Sequence, residues 1–226
     1  MNLLVLGRGK TGSLVSEVAR ERGHDIEILC AADNPGGEAL TPERLHGVAV
    51  VLDFTHPSAV IENIEACSRA HANIVVGTTG WYDHLAKVQQ TVARSGIGFL
   101  YAANFSVGVN LFFDVAQAAG AALRHRYNGQ IFERHHAGKK DAPSGTAVSI
   151  QKILRNTSGT EVEVVSFREG DVVGMHELIL ESPNDRIYLC HDAKSRRGFA
   201  EGAVRAAEWL AGRTGFYDFR EVWRQM

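Results

Sequence analysis

The first half of the chain alternates short apolar runs with amphipathic stretches, and this alternation limits the possible folds more than any other feature. Residues 48–54 form a continuous, β-branched run, which is typical of a strand buried on both faces. Similar runs lie at residues 3–6, 26–30, 74–76 and 97–101. Helical spacing of apolar residues fills the intervals between them. The pattern therefore predicts an α/β fold with a Rossmann-like parallel sheet covered by helices on both faces.

The second half of the chain has a different pattern. Strand-like segments at residues 161–167, 175–181 and 186–190 follow one another with short connections, which predicts a smaller α+β domain. A last helical stretch over residues 199–211 is expected to pack on the first domain. The predicted domains comprise residues 1–106 with 197–226, and residues 107–196.

Composition excludes several classes of protein. The 24 Lys and Arg residues against 26 Asp and Glu give a net charge of −2, whereas a dedicated nucleic-acid binder carries a strongly basic face. No apolar run approaches the ~18 residues that a membrane span needs. Cys30, Cys67 and Cys190 are odd in number and far apart, which favours free thiols in a reducing compartment. We therefore expect a cytoplasmic protein that binds neither nucleic acid nor membrane.

Gly7, Gly9 and Gly12 follow the first apolar run in the spacing G-x-G-x-x-G and open the first helical stretch. This arrangement suits a dinucleotide, because glycines let the backbone approach a pyrophosphate and the helix N-terminus attracts its charge. Asp33 lies about 20 residues beyond Gly12, where a carboxylate accepts a hydrogen bond from the adenosine ribose. A glycine-rich turn without a ligand is the alternative. A P-loop is excluded, because Leu4 stands where that motif requires glycine.

The identity of the nicotinamide cofactor depends on charges near the ribose. Asp33 disfavours a 2′-phosphate and so favours NADH, whereas Arg8 and Lys10 in the turn are suited to reach such a phosphate. We therefore expect NADH to be preferred and NADPH to be used as well.

The densest group of reactive side chains lies between residues 133 and 146. Its basic members are Arg134, His135, His136, Lys139 and Lys140. Ser144 is a candidate N-cap, so a small acid has a place for one carboxylate at that helix terminus and for another near Lys139. A solvated basic surface is the alternative. We expect no metal, because the paired histidines have no third ligand at a recognised spacing.

Residues 133–147 have the pattern E-x-H-H-x-x-K-x-D-A-P-S-G-T-A, which resembles the signature of the 4-hydroxy-tetrahydrodipicolinate reductase (dihydrodipicolinate reductase) family of bacterial lysine biosynthesis. Further blocks agree with the family in the same order at residues 53–55, 77–81, 104–110, 168–177 and 191–203. Two features depart from the family pattern. The glycine turn is one residue shorter and has Lys10 where the family generally has Arg, and the segment between the Ser144 helix and Arg168 is shorter.

The resemblance implies reduction of a cyclic dicarboxylate, 4-hydroxy-tetrahydrodipicolinate, to tetrahydrodipicolinate by NADH or NADPH on the diaminopimelate route to lysine. His135 is then the general acid, and Lys139 is a proton donor and carboxylate partner. The implied substrate-binding residues are His136, Lys139, Ser144, Gly145 and Thr146. The cofactor-binding residues are Gly7, Gly9, Lys10, Thr11, Gly12, Asp33, Phe54, Thr55, Gly77, Thr78, Thr79, Ala103, Asn104 and Phe105.

The resemblance also implies a dinucleotide-binding first domain, a second domain for substrate binding and oligomerisation, and a homotetramer. For Phe105, burial in a core is an equal alternative to cofactor contact. Arg196 has two open roles, one toward a substrate carboxylate and one in joining the domains.

Two other classes of function remain open. A two-domain amino-acid dehydrogenase, such as one acting on aspartate, shares the glycine turn but has no reason to keep the pattern of residues 133–147. A non-catalytic dinucleotide sensor would keep the first domain and lose His135 or Lys139, and both are present.

Overall fold

The computed structural model describes residues 1–226 and divides the chain into two compact units. One unit contains Met1–Ser106 together with Arg197–Met226, and the other contains Val107–Arg196. None of the helices combines the length and the apolar character that crossing a bilayer requires.

The first unit is built on a parallel sheet of six strands in the order β10-β5-β4-β3-β1-β2. The strands are β1 (Asn2–Leu6), β2 (Asp25–Leu29), β3 (Val50–Asp53), β4 (Ile74–Val76), β5 (Gly98–Tyr101) and β10 (Gly215–Asp218). Its helices are α1 (Lys10–Glu21), α2 (Pro42–Leu45), α3 (Pro57–Arg69), α4 (Leu85–Ser95), α7 (Arg197–Leu210) and α8 (Phe219–Val222).

The structure confirms the predicted Rossmann-like sheet. Every residue of β3 is buried, as the continuous apolar run requires when helices cover both faces. The C-terminal helical stretch is α7, and its Ala203 and Ala207 share a core with Val15 of α1. The expectation that this helix packs on the first domain is therefore confirmed.

The strand order changes direction beside β1, because the chain goes from β1 to β2 on one side and then to β3 on the other. In open α/β sheets, ligands bind at such a switch point, outside the carboxyl ends of the strands. Gly7 directly follows β1, and Phe54 directly follows β3. The fold therefore places the glycine turn at the usual ligand position of this sheet.

Strand β10 pairs in parallel with β5 at the edge of the sheet, and the sequence patterns do not predict it. All four of its residues are half-buried, so they show neither the alternation nor the continuous burial that marks a strand in sequence. Its pairing with β5 is set by tertiary structure.

The second unit has a mixed sheet of four strands in the order β7-β6-β8-β9. The strands are β6 (Asn128–His135), β7 (Glu163–Arg168), β8 (Met175–Glu181) and β9 (Arg186–Asp192), and the helices are α5 (Val107–Ala119) and α6 (Gly145–Ser158). Strand β6 is parallel to β7 and antiparallel to β8, and β8 is antiparallel to β9. This unit is the α+β domain expected from the sequence.

One face of the four-stranded sheet is covered by helices. Ile131 and Leu178 from the strands share a buried core with Phe112 of α5 and Ile150 of α6. The opposite face carries large side chains that remain exposed, such as Phe167 and Tyr188. The two faces therefore differ in what they offer to other molecules.

Candidate active site

The glycine turn of the first unit leads into α1 without a side-chain cap. Gly9 is the N-cap residue, and no side chain accepts a hydrogen bond from the first turn of the helix, which also contains no acidic residue. A Cβ on Gly9 would meet no atom within 4 Å. Uncapped N–H groups with open space beside them form a binding site suited to an anion such as a pyrophosphate.

Gly7 and Gly12 are required by close packing within the same turn. A Cβ on Gly7, whose φ is +100°, would lie 2.4 Å from the carbonyl oxygen of Phe54. A Cβ on Gly12 would lie 2.3 Å from the carbonyl oxygen of Gly7. These two glycines therefore hold the turn against the loop that follows β3.

A cleft of about 220 Å³ opens beside the carboxyl ends of β1 and β2. It is lined by Ala31 and Asn34 of the segment after β2 and by Thr55 of the segment after β3. Asp33 lies in the 3₁₀ turn Ala31–Asp33, is exposed, and is not itself among the lining residues. Its carboxylate is therefore accessible at a segment that borders the cleft.

Thr55 and Thr78 are tied to the buried carboxylate of Asp53. Asp53 Oδ1 accepts hydrogen bonds from both threonine hydroxyls, each at 2.7 Å, and Oδ2 accepts from Asn63 at 2.8 Å. The two hydroxyls thus join the segment after β3 to the segment after β4. Their side chains stabilise these loops.

Phe54, Gly77 and Phe105 form an apolar group in the first unit. The Phe54 ring fills the space where a Gly77 Cβ would be, since that atom would lie 2.1 Å from the ring. Phe105 is buried, and its ring packs edge-on against Phe219 with centroids 5.0 Å apart. The side chain of Phe105 therefore belongs to the core, the alternative left open by the sequence.

The remaining cofactor candidates lie on loops. Thr79 and Ala103 are exposed. The side-chain oxygen of Asn104 accepts a hydrogen bond from the backbone N–H of Ser106 at 2.9 Å, which fixes the turn after β5.

Alternation along β6 places the reactive residues of the second unit. Glu133 and His135 point to the same face as Ile131, because side chains two residues apart share a face of a strand. The register sets Glu133 opposite His176 on β8 and His135 opposite Arg168 on β7. The carboxyl end of β6 thus gathers polar groups on the helix-covered face of the sheet.

The Glu133 carboxylate is fully buried and lies between a guanidinium and an imidazole. Its Oε1 accepts from Arg168 at 2.8 Å, and its Oε2 is in hydrogen-bond contact with His135 Nδ1. Burial is the largest single influence on the pKa of Glu133 and raises it, but Arg168, Ser166 and His135 together outweigh burial and lower the pKa below its ordinary value. Burial lowers the pKa of His135, against the raising effect of Glu133.

Ser144 begins helix α6 as the sequence predicts. Its hydroxyl accepts from the backbone N–H of Ala147 at 3.2 Å and contacts His176 Nε2 at 3.1 Å. Burial lowers the pKa of His176 to about 3, so this imidazole is neutral at physiological pH. Gly145, the first helical residue, is exposed, and Thr146 follows it half-buried. The helix terminus is therefore held in place with its first residue accessible.

The loop between β6 and α6 carries the other basic groups. Lys139 Nζ donates to both carboxylate oxygens of Asp141, at 2.7 and 2.9 Å, and this bond lowers the pKa of Asp141. The Arg196 guanidinium lies 3.4 Å from His136 Nε2. Two cationic side chains and an imidazole thus lie on one unit with His135 and the start of α6.

Glu133, His135 and His176 bring three potential metal-ligand atoms within 4.8 Å of one another. The carboxylate among them already accepts a hydrogen bond from the Arg168 guanidinium. A divalent cation would be repelled by that guanidinium, so hydrogen bonding explains this cluster better than metal binding.

Two family models match this chain, and together they cover almost all of it. The family model described as dihydrodipicolinate reductase, N-terminus, matches residues 1–105, and the one described as dihydrodipicolinate reductase, C-terminus, matches residues 108–223. The chain belongs to the dihydrodipicolinate reductase family. Members of this family are oxidoreductases that use a nicotinamide dinucleotide.

Curated relatives agree with this assignment over almost the whole chain. A 4-hydroxy-tetrahydrodipicolinate reductase from Christiangramia forsetii is 36% identical and covers 98% of this chain and 97% of its own length. Another from Natronomonas pharaonis is 37% identical and covers 98% of this chain and all of its own length.

Solved structures show the same fold. A dipicolinate-bound dihydrodipicolinate reductase from Paenisporosarcina sp. TG-14 superposes with a TM-score of 0.81 at 20% identity, covering 98% of this chain and 99% of that one. An aspartate dehydrogenase from Thermotoga maritima superposes with a TM-score of 0.52 at 12% identity, covering 96% of this chain and 99% of that one. At these identities both likenesses concern the fold alone.

Glu133, Arg168 and His176 are functional candidates in the structure that the sequence patterns alone do not single out. Each lies in a block that resembles the family, which was the available signal. Their contacts depend on pairing between β6, β7 and β8, so local sequence patterns could not place them together.

Proposed function

We propose that the chain reduces 4-hydroxy-tetrahydrodipicolinate to tetrahydrodipicolinate with NADH or NADPH in the diaminopimelate route to lysine. In the overall reaction the substrate loses its hydroxyl as water and gains a hydride and a proton. Membership of the family supports the reaction. The observation that carries the assignment of residues is the cationic loop beside an accessible helix N-terminus in the second unit.

His135 is proposed to be the general acid, and Lys139 to be a proton donor and carboxylate partner. Hydride arrival places negative charge on the substrate ring, so a nearby acid and a nearby cation stabilise the transition state more than the ground state. An imidazole has a proton affinity suited to this task near neutral pH. When substrate binds, one of its carboxylates is expected to compete with Asp141 for the Lys139 ammonium.

The substrate carboxylates are assigned to two anchors. Ser144, Gly145 and Thr146 offer the first turn of α6, where N–H groups and the helix dipole favour an anion. His136 and Lys139 offer the second anchor, and the Arg196 guanidinium beside His136 adds positive charge to it. Two anchors select a dicarboxylate over a monocarboxylate.

The residues of the first unit fit a nicotinamide dinucleotide, which supplies the hydride when bound. The pyrophosphate would bind at the uncapped start of α1, where the residues that hold it are Gly7, Gly9, Lys10, Thr11 and Gly12. Asp33 would accept from the adenosine ribose, which favours NADH, while exposed Arg8 and Lys10 make NADPH usable. Parallel titrations of both reduced cofactors test this preference.

The chain is further proposed to act in the cytoplasm as a homotetramer. The exposed face of the four-stranded sheet, with Phe167 and Tyr188, is the proposed contact between copies. Tyr188→Glu would then lower the mass measured by light scattering, and an unchanged mass, or a monomeric wild type, would contradict this contact.

The reaction is tested by mixing the protein with NADH or NADPH and the product of a coupled dihydrodipicolinate synthase, and following the absorbance of the reduced cofactor. We expect oxidation that depends on the dicarboxylate and does not occur with iminoaspartate, the substrate that an aspartate dehydrogenase would reduce. The His135→Ala, Lys139→Ala double variant should lose about 10⁴-fold or more in turnover. Absence of turnover by the wild type would refute the reaction, and unchanged turnover in the double variant would refute the roles.

A further inference from the structure

Glu133 is a buried carboxylate that the mechanism above does not use. An ionised carboxylate inside a protein is costly unless it is paired and fully hydrogen-bonded. Both oxygens of Glu133 meet this condition, one through Arg168 and the other through His135 Nδ1. Arg168 is itself fixed, because it also donates to the carbonyl of Asp141 at 2.6 Å. This chain of contacts ends on the proposed acid.

The contacts determine which nitrogen of His135 carries a proton. An ionised carboxylate only accepts hydrogen bonds, so Nδ1 must carry the hydrogen that faces Glu133. In the neutral imidazole Nε2 is then unprotonated, and a second proton can bind only there. Nε2 of His135 lies close to Gly174: a Cβ atom added to this glycine would be 3.0 Å from Nε2.

We propose that Glu133, held by Arg168, is a positioning residue that keeps a proton on Nδ1 of His135 and leaves Nε2 to deliver a proton to the substrate, a role that rests on the function proposed above. The same arrangement orients the ring, because both hydrogen-bonding partners of the carboxylate belong to the sheet of the second unit.

The charges that face His135 come from four segments. Glu133 on β6 favours the protonated ring, whereas Lys139 from the loop and Arg168 on β7 disfavour it. His176 on β8 packs against the ring with centroids 5.2 Å apart and is neutral. Glu133 is thus the one group of these four that stabilises the imidazolium.

Glu133→Gln tests this role with almost no change of shape. Arg168 can donate only, so it should retain the amide oxygen of the new side chain and turn the NH₂ group toward His135 Nδ1. Nδ1 must then accept a hydrogen bond, and the ring proton moves to Nε2. The amide NH₂ opposes a proton on Nδ1, so the pKa of the His135 imidazolium falls and the ring loses its second proton at a lower pH than in the wild type.

The direct readout is ¹⁵N NMR of the histidine rings near neutral pH, with the His135 signals assigned from a His135→Gln sample. We expect the proton on Nδ1 in the wild type and on Nε2 in Glu133→Gln. A wild-type proton on Nε2, or an unchanged tautomer in the variant, would overturn the proposal. This readout needs no turnover, so it separates failure of the positioning role from failure of the proposed function.

The kinetic readout is the pH profile of turnover. Glu133→Gln should lower kcat about 100-fold or more near neutral pH, and its alkaline limb should move to lower pH by about one unit or more. KM for the dicarboxylate should stay within about threefold of the wild-type value. A lower kcat with an unmoved limb would mean a merely structural role and would refute the proposal. Glu181→Gln, on the same sheet and paired with Arg186, is the matched control and should keep the wild-type profile.

Discussion

Two glycines at helix N-termini provide a sharp test of where the two ligands bind. Gly9 is the N-cap of α1 in the first unit, and Gly145 is the first residue of α6 in the second. A Cβ at either position meets no atom within 4 Å, and neither residue has a positive φ. Gly9→Ala and Gly145→Ala should therefore fold normally and place a methyl group in the space proposed for a ligand.

The expected changes in stability are small. Alanine is a poorer N-cap than glycine by about 0.5–1 kcal/mol, and alanine inside a helix gains up to about 1 kcal/mol over glycine. Such changes move Tm by about 2–4 °C in a chain of this size. A hydrogen bond to a charged group is worth about 1.5–3 kcal/mol, so blocking one backbone N–H from reaching its ligand should weaken Kd about 10- to 100-fold.

Calorimetric titration measures the Kd of each variant for NADH and for dipicolinate, a stable cyclic dicarboxylate. Gly9→Ala should weaken NADH binding and leave dipicolinate binding unchanged. Gly145→Ala should do the reverse, so each variant is the control for the other. Wild-type affinity of both variants for both ligands, or the opposite pairing, would refute the placement of the two sites.

Three further predictions concern stability and pH. Phe105→Ala should destabilise the protein by about 3–5 kcal/mol in urea unfolding, because this buried ring packs on Phe219; a loss below about 1 kcal/mol would contradict its place in the core. Ser144→Ala should cost about 1 kcal/mol through loss of the α6 cap, measured by thermal unfolding, while Ser149→Ala in the same helix should cost less. Burial lowers the pKa of His176 to about 3, so below pH ~6.5 the unfolded chain binds a proton that the folded chain does not. The free energy of unfolding should then fall on acidification by up to about 1.4 kcal/mol per pH unit from this group, and His176→Gln should show a shallower fall.

Local patterns were sufficient for much of the fold. The buried run that became β3 and the cap at Ser144 are both properties of short segments, so they could be recognised without tertiary information. Strand β10 was missed, because its half-buried residues become a strand only through pairing with β5.

The candidate site was predictable only in part for the same reason. The basic residues between Arg134 and Lys140 are adjacent in sequence, so their clustering was visible. The cation that pairs with Glu133 is Arg168 on β7, and the residue opposite Glu133 on β8 is His176; both are distant from it in sequence. A buried carboxylate on a strand gives no sequence signal of which cation will satisfy it.

The transfer of a labelled hydride from the cofactor tests the proposed reduction most directly. Wild-type protein is supplied with NADH or NADPH carrying deuterium at the transferable position, together with the coupled dicarboxylate in ordinary water, and the product is weighed by mass spectrometry. We expect tetrahydrodipicolinate that contains a single deuterium from the cofactor, formed at a rate that falls about 100-fold or more in His135→Ala. Product without deuterium, or no product with either cofactor, would contradict the proposed reduction.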